Sequence, residues 1–478
     1  MDTLTSTASD AAADRVRNLM FNSLVKKNER LEYVGDLARE INTSEDGLTL
    51  TFNLHQNVKF HNGAEFTSAD VKYTMDELFN SNGYKSKAFA DTIDGQAVPH
   101  ITSLETPDTY TVVIGVRSPA LANQLLSNLV AIPIIARGSV AQQAEQPLGT
   151  GPFKFVNFDR AQNTVDMESF AEYWEGAPGI TRLRVKTVPD ASSLQAELQT
   201  GGVDIAPNPT NLPPDALVAL RQLGSLKVEQ FQGTNIQYIG LNTTSAPLDK
   251  KQVRQAIGYG IDKEKIIKEL LSDQAQIAHS ILPASSWAHS AGTEYRYDPE
   301  RAKQLLSEAG YKYEPIKFKF SAGNAAVSQY AQAIQSSLIG VGLNIEIETL
   351  DANTLREHLA QGQFQLNTGQ WIGGNQDPIF LKDLFTTGRI PGKAASCCNR
   401  SRYSNQQVDQ LVEQAINETD RERAKDLYTS AWAIISDDLP LLPLWYPANM
   451  VISTNRVQNV KINPSGDWSF VKDITISN

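Results

Sequence analysis

The sequence predicts an α/β protein, and three patterns carry that prediction. Apolar residues alternate with a period of two over 48–54 and 182–188, as half-buried strands require. Beyond residue 240 they recur at helical spacing instead, as at Val253, Ala256 and Ile257. Residues 316–350 then read strand, helix, strand, the order of a crossover unit with a parallel pair.

Taken in order, Leu48, Leu50, Phe52 and Leu54 define the first strand, which Val58 and Phe60 continue to a tight-turn signal at Asn62-Gly63. Thr67 and Asp70 form a capping-box pattern ahead of Val71, Met75 and Leu78 on one helical face. From 110 to 178 the texture is mainly β. Tyr110 to Val116 is a strand, Gly149-Thr150-Gly151-Pro152 breaks the chain, and Phe153, Phe155 and Phe158 follow as strand and turn. The Gly-, Pro- and Asn-rich segment 200–215 is a loop holding a short strand at 203–205, and Val228 to Leu241 is a second β stretch.

Asp262 caps a helix that buries Ile266, Ile267, Leu270 and Leu271. Asp298-Pro299 opens another, with Ala302, Leu305, Leu306 and Ala309 as its face and Gly310 as its end. Ile316 to Phe320 is a strand, Ser328 to Ile339 a helix and Leu343 to Leu350 a strand. Helices over 405–417 and 420–437 precede a Pro-rich strand from Leu439 to Ile452. The change of texture near 240 marks a domain boundary. The C-terminal stretch reads β again, so the chain is expected to return to its first domain.

At ~100–200 residues per domain, 478 residues imply several domains, each with its own core. Against 43 Lys plus Arg stand 54 Asp plus Glu, a net charge of −11. Such a chain lacks the positive field that a nucleic-acid or anionic-membrane partner needs. With 41% hydrophobic and 20% charged residues it is not a disordered composition. No run of ~18 apolar residues exists to cross a membrane. The two cysteines, Cys397 and Cys398, are adjacent, which excludes zinc fingers and Cys-x-x-Cys redox sites.

Motifs for catalysis are lacking. Ser23-Leu-Val-Lys26 matches Ser-x-x-Lys without its partner motifs, a chance match. Gly149-Thr-Gly151 runs into Pro152 rather than a helix start, so it is no dinucleotide fingerprint. The six histidines (His55, His61, His100, His279, His289 and His358) are scattered, with no pair at metal-ligand spacing. No cofactor, metal site or catalytic residue is expected, and the chain is read as a non-enzyme.

Five blocks in order resemble one family. The first runs from Asp36-Leu-Ala38 through Gly47–Leu54, Val58-Lys-Phe-His-Asn-Gly63 and Ser68-Ala-Asp-Val71. The second is Gly149–Phe155, and the third Leu241-Asn242 with Val253-Arg-Gln-Ala256 and Gly260-Ile-Asp262. The fourth is Tyr297-Asp-Pro-Glu-Arg-Ala302 with Leu305-Leu306 and Ala309-Gly310, and the fifth Trp371 to Pro378 with Phe380-Leu381. Together they resemble the extracytoplasmic solute-binding proteins of peptide/nickel-type ABC transporters, bacterial solute-binding protein family 5.

The resemblance implies a two-lobed periplasmic-binding-protein fold, type II-like, with an extra β-rich subdomain and two hinge strands, placed at Asn235–Leu241 and Leu444–Val451. It divides the chain into a discontinuous lobe I core (1–27, 181–236 and 447–478), the extra subdomain of lobe I (28–180) and lobe II (237–446). The implied function is capture of a peptide or peptide-like polar solute between the lobes, by hinge closure, for delivery to ABC permease subunits. An oligosaccharide or other polar metabolite binder of the same fold is the alternative, as is a sensor or chaperone-like module. A hydrolase with an unrecognised cleft acid/base pair is the alternative from another class. A monomer is expected, periplasmic or on the outer cell surface, with no nucleic acid and a membrane reached only through the permease or a lost lipid anchor. Met1 is read as a trimmed or misassigned start, because the family's signal peptide and first strand are missing ahead of it.

The resemblance also names binding residues. Trp371 is expected to stack on ligand, Gly373 and Gly374 to allow close backbone approach, and Asn375 to hydrogen-bond it. In the family's peptide binders an Asp three residues after the Trp pairs with the ligand ammonium. Gly374 stands there in this chain, and Asp377 is expected to cap the next helix instead. Arg400 or Arg402 is expected to grip a ligand carboxylate, Tyr403 to stack or pack under the loop, and Thr7 or Ser9 to contribute from the first lobe. Trp174, Trp445 and Tyr446 are expected to pack in cores. Cys397 and Cys398 are expected as free thiols, because a vicinal disulfide closes a small strained ring. If Gly374 occupies the clamp position, Gly374→Asp will raise affinity for free-amine peptides in calorimetry. No gain with any such peptide would show the alignment at 374 to be wrong.

Overall fold

The computed structural model describes residues 4–7, 11–93, 96–209, 211–322, 324–373, 376–392 and 398–477. The chain divides into two compact units. Unit 1 comprises Met1–Asn211, Gly224–Glu229 and Val451–Asn478, and unit 2 comprises Leu212–Leu223 and Gln230–Met450.

Unit 1 contains a four-stranded antiparallel sheet in the order Ala38–Thr43, Thr49–Leu54, Thr111–Val116, Ile101–Asp108. Leu50, Phe52 and Leu54 are buried, while Thr49, Thr51 and Asn53 between them are half-buried, so the period-two pattern marks one packed face. Helix Ser68–Asn80 buries Val71, Met75 and Leu78. At its start the Asp70 carboxylate accepts from the Thr67 amide at 2.9 Å, the reciprocal half of a capping box. A three-stranded sheet in the order Arg182–Lys186, Thr164–Ser169, Phe153–Asp159 follows, with Phe153–Asp159 at an edge. The glycines ahead of that strand serve close packing. A Cβ on Gly149 or Gly151 would come 2.2 Å from the Met20 oxygen or 2.4 Å from its carbonyl carbon.

Unit 2 is built on a six-stranded mixed sheet in the order Ala275–Ile277, Leu441–Pro447, Ile236–Leu241, Leu366–Trp371, Pro315–Ser321, Asn344–Leu350. Pro315–Ser321 and Asn344–Leu350 run parallel, joined through helix Ala325–Gly340 as the strand–helix–strand order predicts. Asp262 and Asp298 cap their helices, accepting from the amides of Lys265 and Arg301 at 2.9 Å each. The core joins sheet residues such as Ile239, Phe318 and Leu442 to Val253, Ile257 and Leu305 from the helices. Trp445 and Tyr446 are buried, and Tyr446 donates to the Leu282 carbonyl at 2.7 Å.

Both expected hinge segments touch this sheet. Ile236–Leu241 is buried at every residue and paired on both sides. Leu444–Val451 is not one strand: Leu441–Pro447 ends before Ala448, and Asn449–Thr454 begins after it. Helix Ala352–Gln361 and strand Leu366–Trp371 are not expected from the sequence pattern. The strand, Leu-Asn-Thr-Gly-Gln-Trp, lacks alternation because its buried polar residues bond inside the sheet. Thr368, for example, donates to the Tyr238 carbonyl at 2.9 Å.

Lys263 heads helix Lys263–Leu270 and is 4% exposed. Its ammonium donates to the carbonyls of Pro443 at 2.9 Å and Ala278 at 3.3 Å. Burial pushes its pKa down to about 7, against a weaker upward pull from Glu294. The folded pKa lies below the unfolded one, so between about pH 7 and the ordinary lysine range the unfolded chain binds more protons. Stability from this group therefore rises with pH across that window, and its cost is fully present below it. Lys263→Met is expected to stabilise the protein by roughly 1–4 kcal/mol at pH 6, with less gain at pH 9, in urea melts. An equal effect at both pH values would contradict the assigned protonation.

Candidate functional site

The constellation at the end of strand Leu366–Trp371 is set by cross-strand register. Tyr238 lies directly opposite Gly369, and Ile236 opposite Trp371. Tyr238 therefore shares a sheet face with Gly369 and, diagonally, with Trp371. Gly369 leaves room for the tyrosine: a Cβ there would come 2.9 Å from the Tyr238 hydroxyl and 3.2 Å from its Cζ. The rings of Tyr238 and Trp371 stack at 6.0 Å and 14°. Phe380, at the start of helix Phe380–Phe385, meets Trp371 edge-on at 5.1 Å and 83°. The Trp371 Nε1 is buried and has no hydrogen-bond partner among the described residues.

Arg400 completes the group. Its Cζ lies 5.5 Å from the Trp371 ring centroid, a cation–π contact. It also reaches Tyr238. Burial pushes that phenol's pKa up, and the positive charge of Arg400 and hydrogen bonds from Asn367 and Arg400 only partly oppose this. Among the described residues Arg400 makes no ion pair.

The loop that presents Arg400 is anchored on both sides. Its own amide donates to the Cys398 carbonyl at 2.7 Å. Asn399, fully buried, donates through Nδ2 to the carbonyls of Thr386 at 2.9 Å and Tyr403 at 2.8 Å, and its own amide donates to Arg389. Cys398 is disulfide-bonded, which corrects the free-thiol expectation; an oxidising compartment favours that state for thiols within reach. Cys397 lies outside the described residues.

The other expected residues are placed differently. Arg402 does not join the Trp371 group: it donates to the Ala360 carbonyl at 3.1 Å and lies against Gly362, where a Cβ would sit 2.1 Å from its Nε. Tyr403 is 4% exposed, and its hydroxyl donates to Asp438 at 2.6 Å, so it packs under the loop. Gly373 adopts φ +75°, a conformation that favours glycine, and donates to the Asn235 side chain at 3.3 Å. Asp377 accepts from the Ile379 amide at 2.9 Å, at the turn into helix Phe380–Phe385. Thr7 is exposed in unit 1. Gly374, Asn375 and Ser9 lie outside the described residues. Trp174 is half-buried, with its Nε1 donating to Asn22 at 3.3 Å.

Sequence reasoning missed Tyr238 and Phe380. Each sits in an apolar run that reads as core, and only register and ring geometry set them beside Trp371. Among the described residues no group of three or more His, Cys, Asp or Glu side chains is placed to hold a metal ion.

Comparison with known proteins adds an independent line. The family described as bacterial extracellular solute-binding proteins, family 5 Middle, matches residues 32–392. The chain is 28% identical to heme-binding protein A of Haemophilus influenzae over 94% of this chain and 86% of that protein. It is 26% identical to the dipeptide-binding protein of Escherichia coli, over 94% and 88% respectively. In fold it is similar to the structure of HbpA2 from Haemophilus parasuis, with a TM-score of 0.83, 24% identity and coverage of 100% and 98%.

The geometry around Tyr238 is directly testable. Gly369→Ala is expected to displace the Tyr238 ring and cost about 1–3 kcal/mol in urea unfolding, as overpacking does. Unchanged stability would mean that the tyrosine has room to spare.

Proposed function

We propose, from the premise that this chain belongs to the bacterial extracellular solute-binding proteins of family 5, that Arg400 and Trp371 hold an anionic group of the captured solute. The chain is the solute-binding component of an ABC importer and works with its permease subunits. The ligand class is a peptide or peptide-like polar solute, bound without turnover, in the periplasm or at the outer cell surface. The same reading keeps 28–180 as a subdomain of lobe I and 237–446 as lobe II.

One observation carries the ligand assignment. Arg400 rests on an aromatic face, hydrogen-bonds the Tyr238 phenol, makes no ion pair among the described residues, and stands beside an indole N–H that has no hydrogen-bond partner among them. A guanidinium is weakly hydrated and presents a planar fork of donors, which matches a carboxylate bidentately. Dipeptides and heme, the ligands that name two relatives of this chain, both carry carboxylates. Glycine at 374 leaves no side-chain acid there for an ammonium group, so recognition rests on the anionic end of the solute.

Denaturing the purified protein and identifying the released solute by mass spectrometry is expected to yield a carboxylate-bearing molecule. In calorimetry with that molecule, Arg400→Gln is expected to weaken binding about 10–100-fold, corresponding to ~1.4–2.8 kcal/mol. Masking the carboxylate as an ester or amide will weaken wild type to a similar degree and leave Arg400→Gln little changed. Full affinity of Arg400→Gln for the carboxylate ligand would overturn the assignment.

A further inference from the structure

A second group of aromatic donors lies in unit 2, at the end of the six-stranded sheet where Trp371 sits. Trp371 is opposite Ile236, and Trp445 is opposite the neighbouring Gln237, so strand Leu441–Pro447 runs toward that end. Helix Arg421–Asp438 precedes this strand by two residues. Its 18 residues span about 27 Å against about 23 Å for the strand, so the helix starts at the Trp371 end. Helix Phe380–Phe385 joins the two groups: Phe380 meets Trp371, and Phe385 meets Trp432 of the long helix at 6.0 Å.

Trp287 packs on the first turns of the long helix much as Trp371 packs against Arg400 and Phe380. Arg421, exposed at the helix start, places its Cζ 5.1 Å from the Trp287 ring centroid. Tyr428 meets the same ring edge-on at 5.9 Å and 74°. The turn that presents Trp287 is anchored on both sides. The Ser286 amide donates to the Pro283 carbonyl at 2.8 Å, the His289 amide to the Ser286 carbonyl at 3.0 Å, and Trp432 Nε1 to the Ala291 carbonyl at 3.2 Å.

The polar atoms of this group lack partners. Tyr428 is 4% exposed, yet neither its hydroxyl nor the half-buried Trp287 Nε1 makes a hydrogen bond among the described residues. Next to the indole in sequence, the Oγ atoms of Ser285 and Ser286 are buried and also have no partner among them. Buried polar groups are ordinarily hydrogen-bonded, so this group calls for a partner from outside the chain.

Charge and protonation select that partner. Burial and, more weakly, the negative charge of Asp377 push the Tyr428 pKa up, so the phenol keeps its proton and donates. The indole N–H is a donor only. Arg421 and Asp377, of opposite sign, both border the pair, which leaves no preference for a charged group. Two neutral donors then match a neutral acceptor, and the acceptor a peptide-like solute carries is a carbonyl. The pair also lies within reach of the first site: the Phe380 amide donates to the Asp377 carbonyl at 3.1 Å, so one turn separates the residue beside Tyr428 from the ring against Trp371.

We propose that Trp287 and Tyr428 form a second subsite, which takes a neutral carbonyl at the end of the solute remote from its carboxylate, so that the solute is an N-acylated, peptide-like molecule. This deepens the reading of Arg400 as the carboxylate site and rests on it. A free N-terminal ammonium brings no acceptor to the two donors, and glycine at 374 offers it no side-chain acid.

The test is calorimetry on the full chain with a panel of tripeptides, each as the free amine and as its N-acetyl derivative. Acetylated members are expected to bind at least about tenfold tighter than their free-amine twins. Tyr428→Phe and Trp287→Phe, which keep a ring and delete the donor, are each expected to weaken the acetylated form about 3–10-fold and leave the free-amine form within about twofold. Arg400→Gln is expected to weaken both forms alike. Three results would overturn the subsite: free-amine twins that bind equally or better, an acetyl preference that survives in both phenylalanine variants, or no binding by any acetylated member. Full affinity of Arg400→Gln for acetylated peptides, with the preference still lost in Tyr428→Phe, would overturn the carboxylate assignment alone.

Discussion

The pairing of Ile236–Leu241 with Leu366–Trp371 is the constraint on which the candidate site depends. The first strand is buried along its whole length and paired on both sides, so its register has no freedom to slip. That register sets Tyr238 against a glycine and turns its ring onto Trp371. Glycine serves here by lacking a side chain. Gly240 does the same two residues further along the strand, where a Cβ would meet the Asn367 side chain at 2.4 Å.

Two cations of unit 2 show how burial and partner decide a charge's use. Lys263 is enclosed and satisfied only by backbone carbonyls, so burial drives its proton off near neutral pH. Carbonyl dipoles compensate an ammonium incompletely, and the result is a cost to the fold. Arg400 lies on the Trp371 face, which attracts its charge without neutralising it. It hydrogen-bonds the Tyr238 hydroxyl, while the anchoring of the loop falls to the backbone and to Asn399.

Much of the architecture was legible in the residues. The alternation at 48–54, the caps at Thr67, Asp262 and Asp298, and the parallel unit at 315–350 all follow from local rules that operate over a few residues. The site was legible in part. Trp371 and Arg400 were named from the resemblance and do come together. Arg402 and Tyr403 were named with them, yet one is spent on the end of a helix and the other on Asp438. Adjacent positions in a loop face different ways, and spacing alone does not say which.

The sequence by itself determined where helices start, which strand faces are apolar, that the chain lacks a motif for catalysis, and which family it resembles. These rest on short-range periodicity and on the identity of side chains. Tertiary structure alone decided that Tyr238 and Phe380 frame Trp371, that strand Leu366–Trp371 exists despite its polar residues, and that Phe153–Asp159 lies at a sheet edge. Each depends on which distant backbone pairs with which, and strand pairing is set by burial summed over a whole sheet rather than by any residue's own preference.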